Sequence, residues 1–149
     1  QMGIAEGRRT GVGFMLPMMH SWLADVHVQS GDNETAASIV EQTLREVSDA
    51  TGRSWEAELL RQRAEILLAL DPSKIAEAES YFQKAIEVAR GQSSKSFELR
   101  VAVTLGKLWR QQERIDAARD LIEPIYRWFE EGTATSDLKR ARDFLIALQ

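Results

Sequence analysis

The two histidines, His20 and His27, are the side chains best suited to hold a metal, and their spacing argues against it. A helical metal site places its ligands four residues apart, often with a carboxylate between them as in His-Glu-x-x-His. His20 and His27 are seven apart, and Asp25 between them points elsewhere. Both are read as helix-packing residues. The chain has no cysteine, so neither a thiolate site nor a disulfide framework is available.

Carboxylates are the next candidates: Glu56, Glu58 and Glu65 in one segment, Glu77, Glu79 and Glu87 in another. Paired acids catalyse when burial drives their pKa values apart. These acids alternate with Arg61, Arg63, Lys74 and Lys84, the pattern of a solvated helix face. Serine, threonine and lysine occur without an activating neighbour. The short run Gly11-Val12-Gly13 lacks the later glycine, the lysine and the preceding strand of a phosphate-binding loop. No catalytic residue, metal or cofactor is therefore assigned, and the segment is read as non-enzymatic.

Chemistry of another kind, recognition of a partner, needs a surface and the elements that build one. Three stretches share a layout of helix, turn, and a second helix opening on alanine. In the middle one, Leu59, Leu60, Ala64, Leu67 and Leu68 recur at helical spacing, and Asp71-Pro72-Ser73-Lys74 forms a turn. Asp71 is expected to cap the next helix with Pro72 at its first position. Ile75, Ala78, Phe82, Ala85 and Ala89 follow on one face. Ala78, Phe82 and Ala85 reproduce the A-x3-F-x2-A spacing of tetratricopeptide repeats. Steric logic explains the pattern: a small side chain lets two helices approach, and large ones fill the space beside it.

In the first stretch Leu23, Ala24, His27, Gly31 and Ala36 keep the repeat spacing, with His27 where tyrosine is usual. Gly31 suits a left-handed helix cap, and Glu34 favours the start of the next helix. In the third, Val101, Leu105 and Leu108 precede Ala117 and Leu121, and Pro124 replaces the next small residue. Pro124 is expected to kink or split its helix. The alanines that open the second helices, Ala36, Ala78 and Ala117, step by 42 and 39 residues. The usual tetratricopeptide period is about 34, and a period near 40 also suits HEAT-type repeats. A last helix carries Leu138, Ala141, Leu145 and Leu148 on one face and Lys139, Arg140 and Arg142 on the other. Such a helix closes the open end of a solenoid.

The expected fold is all-α, a right-handed tetratricopeptide-like superhelix. Residues 1–13 are expected to form a poorly structured N-terminal segment or the remnant of a preceding repeat, and 14–149 a helical-repeat domain. Its hairpins run over about 14–50, 54–90 and 96–130, with a capping helix over about 136–148. Composition is compatible: 44% hydrophobic residues, three prolines, and glycine concentrated at the start. Residues 1–94 carry 9 basic and 14 acidic side chains, and 95–149 carry 10 and 9. Neither part is basic enough for nucleic-acid binding. No apolar run reaches the ~20 residues of a membrane span, and no signal peptide opens the chain. A cytoplasmic location is expected.

One family has residues of this kind. Trp55-Glu56-Ala57-Glu58-Leu59-Leu60-Arg61, then Ala78-Glu79 with Phe82 and Ala85, and Lys95-Ser96-Phe97-Glu98-Leu99-Arg100 with Leu105 and Leu108-Trp109-Arg110, look like one known repeat region. The most specific run is Pro124-Ile125-Tyr126-Arg127-Trp128-Phe129-Glu130-Glu131-Gly132, followed by Asp137-Leu138 and Ala141. Together they resemble the C-terminal tetratricopeptide-like region of large bacterial adenylate/guanylate cyclase-type proteins with an AAA/STAND-class ATPase core. Thr133-Ala134 depart from the family, which tends to an aromatic and an acidic residue there. The resemblance implies a regulatory or sensing arm with no chemistry in this segment. The natural chain is expected to continue upstream with further repeats.

In such arrays the first helices line a concave groove for a partner. The matching positions are Met18, Ser21, Asp25 and Val28; Glu58, Arg61, Glu65 and Leu68; and Leu99, Ala102, Gly106 and Trp109. Trp109, beside Arg110 and near Gly106, can anchor a peptide or can pack against the last helices. The candidate partner-binding residues are Met18, Asp25, Glu58, Arg61, Glu65, Leu99, Trp109 and Arg110. The partner is expected to be a protein or peptide, another domain of the same chain, or a second copy. A small-molecule effector in the groove is the alternative.

Overall fold

The computed structural model describes residues 12–47, 52–129 and 136–148. Within these residues every regular element is helical. In chain order they are α1 (Val12–Gln29), α2 (Asn33–Glu46), a single 3₁₀ turn (Gly52–Trp55), α3 (Glu56–Leu70), α4 (Ile75–Gly91), α5 (Lys95–Gln111), α6 (Ile115–Trp128) and α7 (Ser136–Ala147). Residues 1–11, most of the expected N-terminal segment, lie outside the described residues, as do Thr51 and the break at Glu131–Thr135. Val12 and Gly13 already belong to α1. No described helix is long and apolar enough to cross a membrane.

Where the sequence reads as one repeat domain, the chain forms two compact units that divide inside α4, between Ala85 and Ile86. In the first unit α1 packs on α2, the 3₁₀ turn and α3, and α2 packs on α3. Ala24, Ala36, Val40 and Leu59 are fully buried there, joined by Ala37 and Ile66. The small side chains Ala24 and Ala36 let α1 and α2 approach closely, and Val40, Leu59 and Ile66 fill the space between them and α3. Ala78, Phe82 and Ala85, the repeat-spaced face of α4, are also buried.

In the second unit α5 packs on α6 and α7, and α6 packs on α7. Leu99, Val101, Ala102, Leu105, Ile122, Leu138, Ala141 and Phe144 supply its core. Gly106 sits where α5 meets both partners. A Cβ added to it would lie 2.6 Å from Ile122 Cδ1 and 3.1 Å from Phe144 Cε1. Arg100 Nη2 donates to Asp137 Oδ2 at 2.9 Å, tying α5 to the first turn of α7. At the other end of α7 the guanidinium of Arg119 donates to the carbonyl of Leu148, where a cation complements the helix dipole.

Three helices stop in the same way. Gly31 follows α1 at φ +86°, and its neighbour Asp32 donates back to the His27 carbonyl at 2.8 Å. Ser93 (φ 54°) and Glu113 (φ 62°) do likewise after α4 and α5, with Ser94 N–H bonded to Ala89 O and Arg114 N–H to Trp109 O, both at 2.8 Å. This is the left-handed cap that glycine favours. At Gly31 the sequence announces it. Ser93 and Glu113 adopt it without glycine.

Two local expectations are corrected. Asp71 does not cap α4; it ends α3, and α4 begins only at Ile75. The Asp71 side chain instead accepts from Ser73 N–H at 3.1 Å and Ser73 Oγ–H at 2.6 Å, which closes a tight turn around Pro72. Those two hydrogen bonds hold its carboxyl below the usual aspartate range. Pro124 does not split its helix: α6 runs through it from Ile115 to Trp128.

Candidate functional site

Four of the sequence-predicted residues, Asp25, Glu58, Arg61 and Glu65, come together where α1 meets α3. Arg61 is the centre of the group. Its Nε donates to Glu58 Oε2 at 3.1 Å, and its two terminal nitrogens reach Glu58 and Glu65. The spacing explains this: Glu58 and Glu65 are one turn before and one turn after Arg61 on α3. Burial alone would lower the Arg61 pKa. The Glu58 hydrogen bond, with the charges of Glu58, Glu65 and Asp25, reverses that and holds the guanidinium firmly protonated.

Beside the ion cluster lies a polar clasp that the sequence reading missed. Gln62 is only 3% exposed and Ser21 only 2%. Ser21 Oγ–H donates to Gln62 Oε1 at 2.9 Å. Gln62 Nε2 donates to the Ser21 carbonyl at 3.0 Å and to Asp25 Oδ1 at 2.8 Å. Both amide hydrogens and the amide oxygen of Gln62 are therefore used. A glutamine surrounded by charged residues in sequence looks solvated, and only its position one turn from Leu59 and Ile66 hinted that it faces inward.

Together these side chains wall a cleft of about 180 Å³ lined by Asp25, Val28, Asn33, Gln62, Glu65, Ile66 and Ala69. Asn33 Oδ1 is buried there without a hydrogen-bond partner. The cleft is acidic at its rim, since Asp25 and Glu65 outnumber any cation among its lining residues. It falls below the ~300 Å³ at which pockets begin to enclose a small organic molecule, and is closer to the room one side chain needs.

The remaining candidates are placed otherwise. Met18 is half-buried on α1, two turns before Asp25. Leu99 is 1% exposed and Trp109 is 8% exposed. Ala102 and Gly106 complete the same stripe of α5, which is buried, with Gly106 against Ile122 of α6 and Phe144 of α7. Small residues that read as bare groove floor are in fact the points of closest helix approach. The Arg114 guanidinium lies 4.6 Å from the centroid of the Trp109 ring. Arg110 is exposed and stacks over Phe144 at 5.4 Å. The histidines have local partners: His20 Nδ1 is 3.1 Å from Thr43 Oγ1, and His27 Nδ1 is 3.4 Å from Asp32. Among the described residues no group of three or more His, Asp or Glu side chains could hold a metal ion.

The second unit has its own cleft, about 310 Å³, lined by α4, α5 and α6. Its floor is Leu121, Pro124 and Ile125, and Trp128 stands at its edge, 59% exposed. Glu98 is buried within it and takes Arg90 Nε at 2.8 Å and Lys95 Nζ at 3.2 Å. Lys95 also lies over the Trp128 ring at 5.7 Å.

A further surface was not foreseen. On α1, Met15, Leu16, Met19, Trp22, Leu23 and Val26 are all between 40% and 59% exposed. Pro17, Ser21 and Ala24 are the buried side of that helix. At 100° per residue, Met15, Met19, Trp22 and Val26 lie on the side directly opposite. Apart from His20, Ser21, Asp25 and His27, whose polar atoms have partners nearby, the described part of the helix is predominantly apolar, on its exposed side as well as its buried one. Compared with known proteins, the chain matches no family model, no curated protein and no solved structure.

Proposed function

We propose that the chain is a non-catalytic protein-interaction module of tetratricopeptide-like helical repeats. One observation carries the reading: an uncharged row of large apolar side chains stands exposed on α1. Soluble monomers seldom expose contiguous apolar patches beyond a few hundred Å², and larger ones mark interaction sites. The repeat assignment draws support from the buried Ala78, Phe82 and Ala85 face and from the left-handed cap at Gly31. Within that class, the residue runs around Trp55, Trp109 and Trp128 support a regulatory C-terminal arm of a multidomain signalling ATPase or cyclase.

The test is affinity capture on the immobilised chain, with Trp22→Glu as the control bait and circular dichroism to show that the control folds. A polypeptide retained by the wild type, including the chain itself supplied in solution, and lost by Trp22→Glu supports the reading. Equal capture by both baits, or none by either, refutes the assignment of this face.

A further inference from the structure

We infer that the exposed face of α1 is covered by the same face of a second copy of this chain, the two helices running antiparallel about a two-fold axis. The inference rests on reading this face as an interaction surface and names what occupies it.

Three features carry it. The first is area. Met15, Leu16, Met19, Trp22, Leu23 and Val26 are each 40% to 59% exposed, a patch on the order of several hundred Å², the size at which an exposed apolar surface marks an interaction site. Pairing with its copy doubles the apolar area removed from water, toward the ~1,000 Å² total of a specific interface.

The second is charge. From Met15 to Ala24 there is no Asp, Glu, Lys or Arg. About a two-fold axis contacts are reciprocal, and side chains close to the axis lie near their own copies, so a charge there meets a like charge. A face without charge is the one kind that carries no such penalty. A partner with complementary charge, by contrast, would find nothing on this face to pair with.

Spacing supplies the third. Met15, Met19, Trp22 and Val26 are separated by four, three and four residues. That series reads the same in both directions, so reversing one helix brings the stripe into register with itself. Met19 then faces Trp22 of the other copy, and Met15 faces Val26. Large side chains meet smaller or more adaptable ones, as close packing requires. The helix dipoles also oppose each other in this arrangement, and in a parallel pair they would not.

The experiment is sedimentation equilibrium on the chain over a hundredfold concentration range, for wild type, Trp22→Glu and, as a surface-charge control on α7, Lys139→Glu. Wild type and Lys139→Glu should approach twice the 16.8 kDa chain mass at the upper concentrations. Trp22→Glu, its helical signal unchanged, should stay at one chain mass, with a dissociation constant raised at least tenfold. Because the chain lacks cysteine, orientation can be read directly. A mixture of Met15→Cys and Val26→Cys chains should oxidise to the mixed disulfide faster than either forms its own. This second readout holds even if glutamate at position 22 disturbs folding.

Single-chain mass for the wild type throughout, or a dimer that Trp22→Glu leaves intact, overturns the inference. Preferential self-disulfides of Met15→Cys overturn the antiparallel arrangement. A monomeric wild type that still captures another polypeptide through Trp22 sinks self-association alone, and the interaction-module reading stands. Failure of capture by either bait sinks both.

Discussion

Gln62 shows how a single side chain can join two helices. Its amide makes three hydrogen bonds to Ser21 and Asp25 on α1, all in a place that water barely reaches. Removing one partner strands the others, and a buried unsatisfied polar group costs about 1–3 kcal/mol. Gln62→Leu should therefore lower stability by about that amount in a urea titration. Adding Ser21→Ala, which removes the stranded hydroxyl, should recover part of the loss. Additive losses in the pair would show that the two side chains do not act together. Asp32 acts at the same scale and has a pH signature. Its side chain accepts from Thr35 N–H at 3.1 Å. The Thr35 hydrogen bonds, with His27 nearby, hold its carboxyl below the ordinary aspartate range. The folded pKa is lower than the unfolded one, so the cap's contribution is complete above the unfolded aspartate pKa, about 3.9. It disappears as pH falls through the folded value. Carboxyl NMR should find the Asp32 midpoint below 3.9, and Asp32→Ala should loosen the first turn of α2 at neutral pH but add nothing in strong acid. A midpoint at or above the free aspartate value would contradict this.

At the scale of elements, the contact of α5 with α6 and α7 depends on having almost nothing at Gly106. Even the first carbon added there, a Cβ, meets Ile122, which is fully buried, and Phe144. Helix propensity favours replacing glycine by as much as ~1 kcal/mol, while overpacking a core costs about 1–3. Gly106→Val should put the steric effect ahead, with a net loss of about 1–3 kcal/mol on denaturation. A gain in stability would mean that the helices slide apart freely. This contact also shows where the sequence could and could not be read. The apolar periodicity of Leu59 to Leu68 and of Ala78, Phe82 and Ala85 makes helices evident, since a helix must turn those residues to one side. It does not say which side faces what. Leu99, Ala102, Gly106 and Trp109 form one stripe whichever way α5 faces, and only the neighbouring helices decide that the stripe is core. Similarly, Asp71 and Pro72 have the composition of a helix start, yet the Ser73 hydrogen bonds spend Asp71 on a turn. The spacing of Arg61 with Glu58 and Glu65 was legible because all three sit on one helix, but that face read as solvated, and the structure buries Glu58 at 5% exposure. Ser21 with Gln62 was not legible, because 41 residues separate them.

For the whole molecule, the described surface of α1 carries more large apolar side chains than the packing of α2 and α3 against it covers. The first unit buries Pro17, Ser21 and Ala24 of α1 and leaves Met19, Trp22 and Val26 exposed. Capture on the immobilised chain and sedimentation equilibrium address that surface at the scale of assembly, and both turn on Trp22. The second unit treats its surface differently. There the buried carboxylate of Glu98 has two cations, Arg90 from the preceding helix and Lys95 from its own. A buried charge left alone is costly, so a lone partner would be irreplaceable. With two in attendance, either cation can be lost to mutation without stranding Glu98. The redundancy predicts a tolerant corner of the fold, in which a change at position 90 or 95 alone is borne more easily than changes at both.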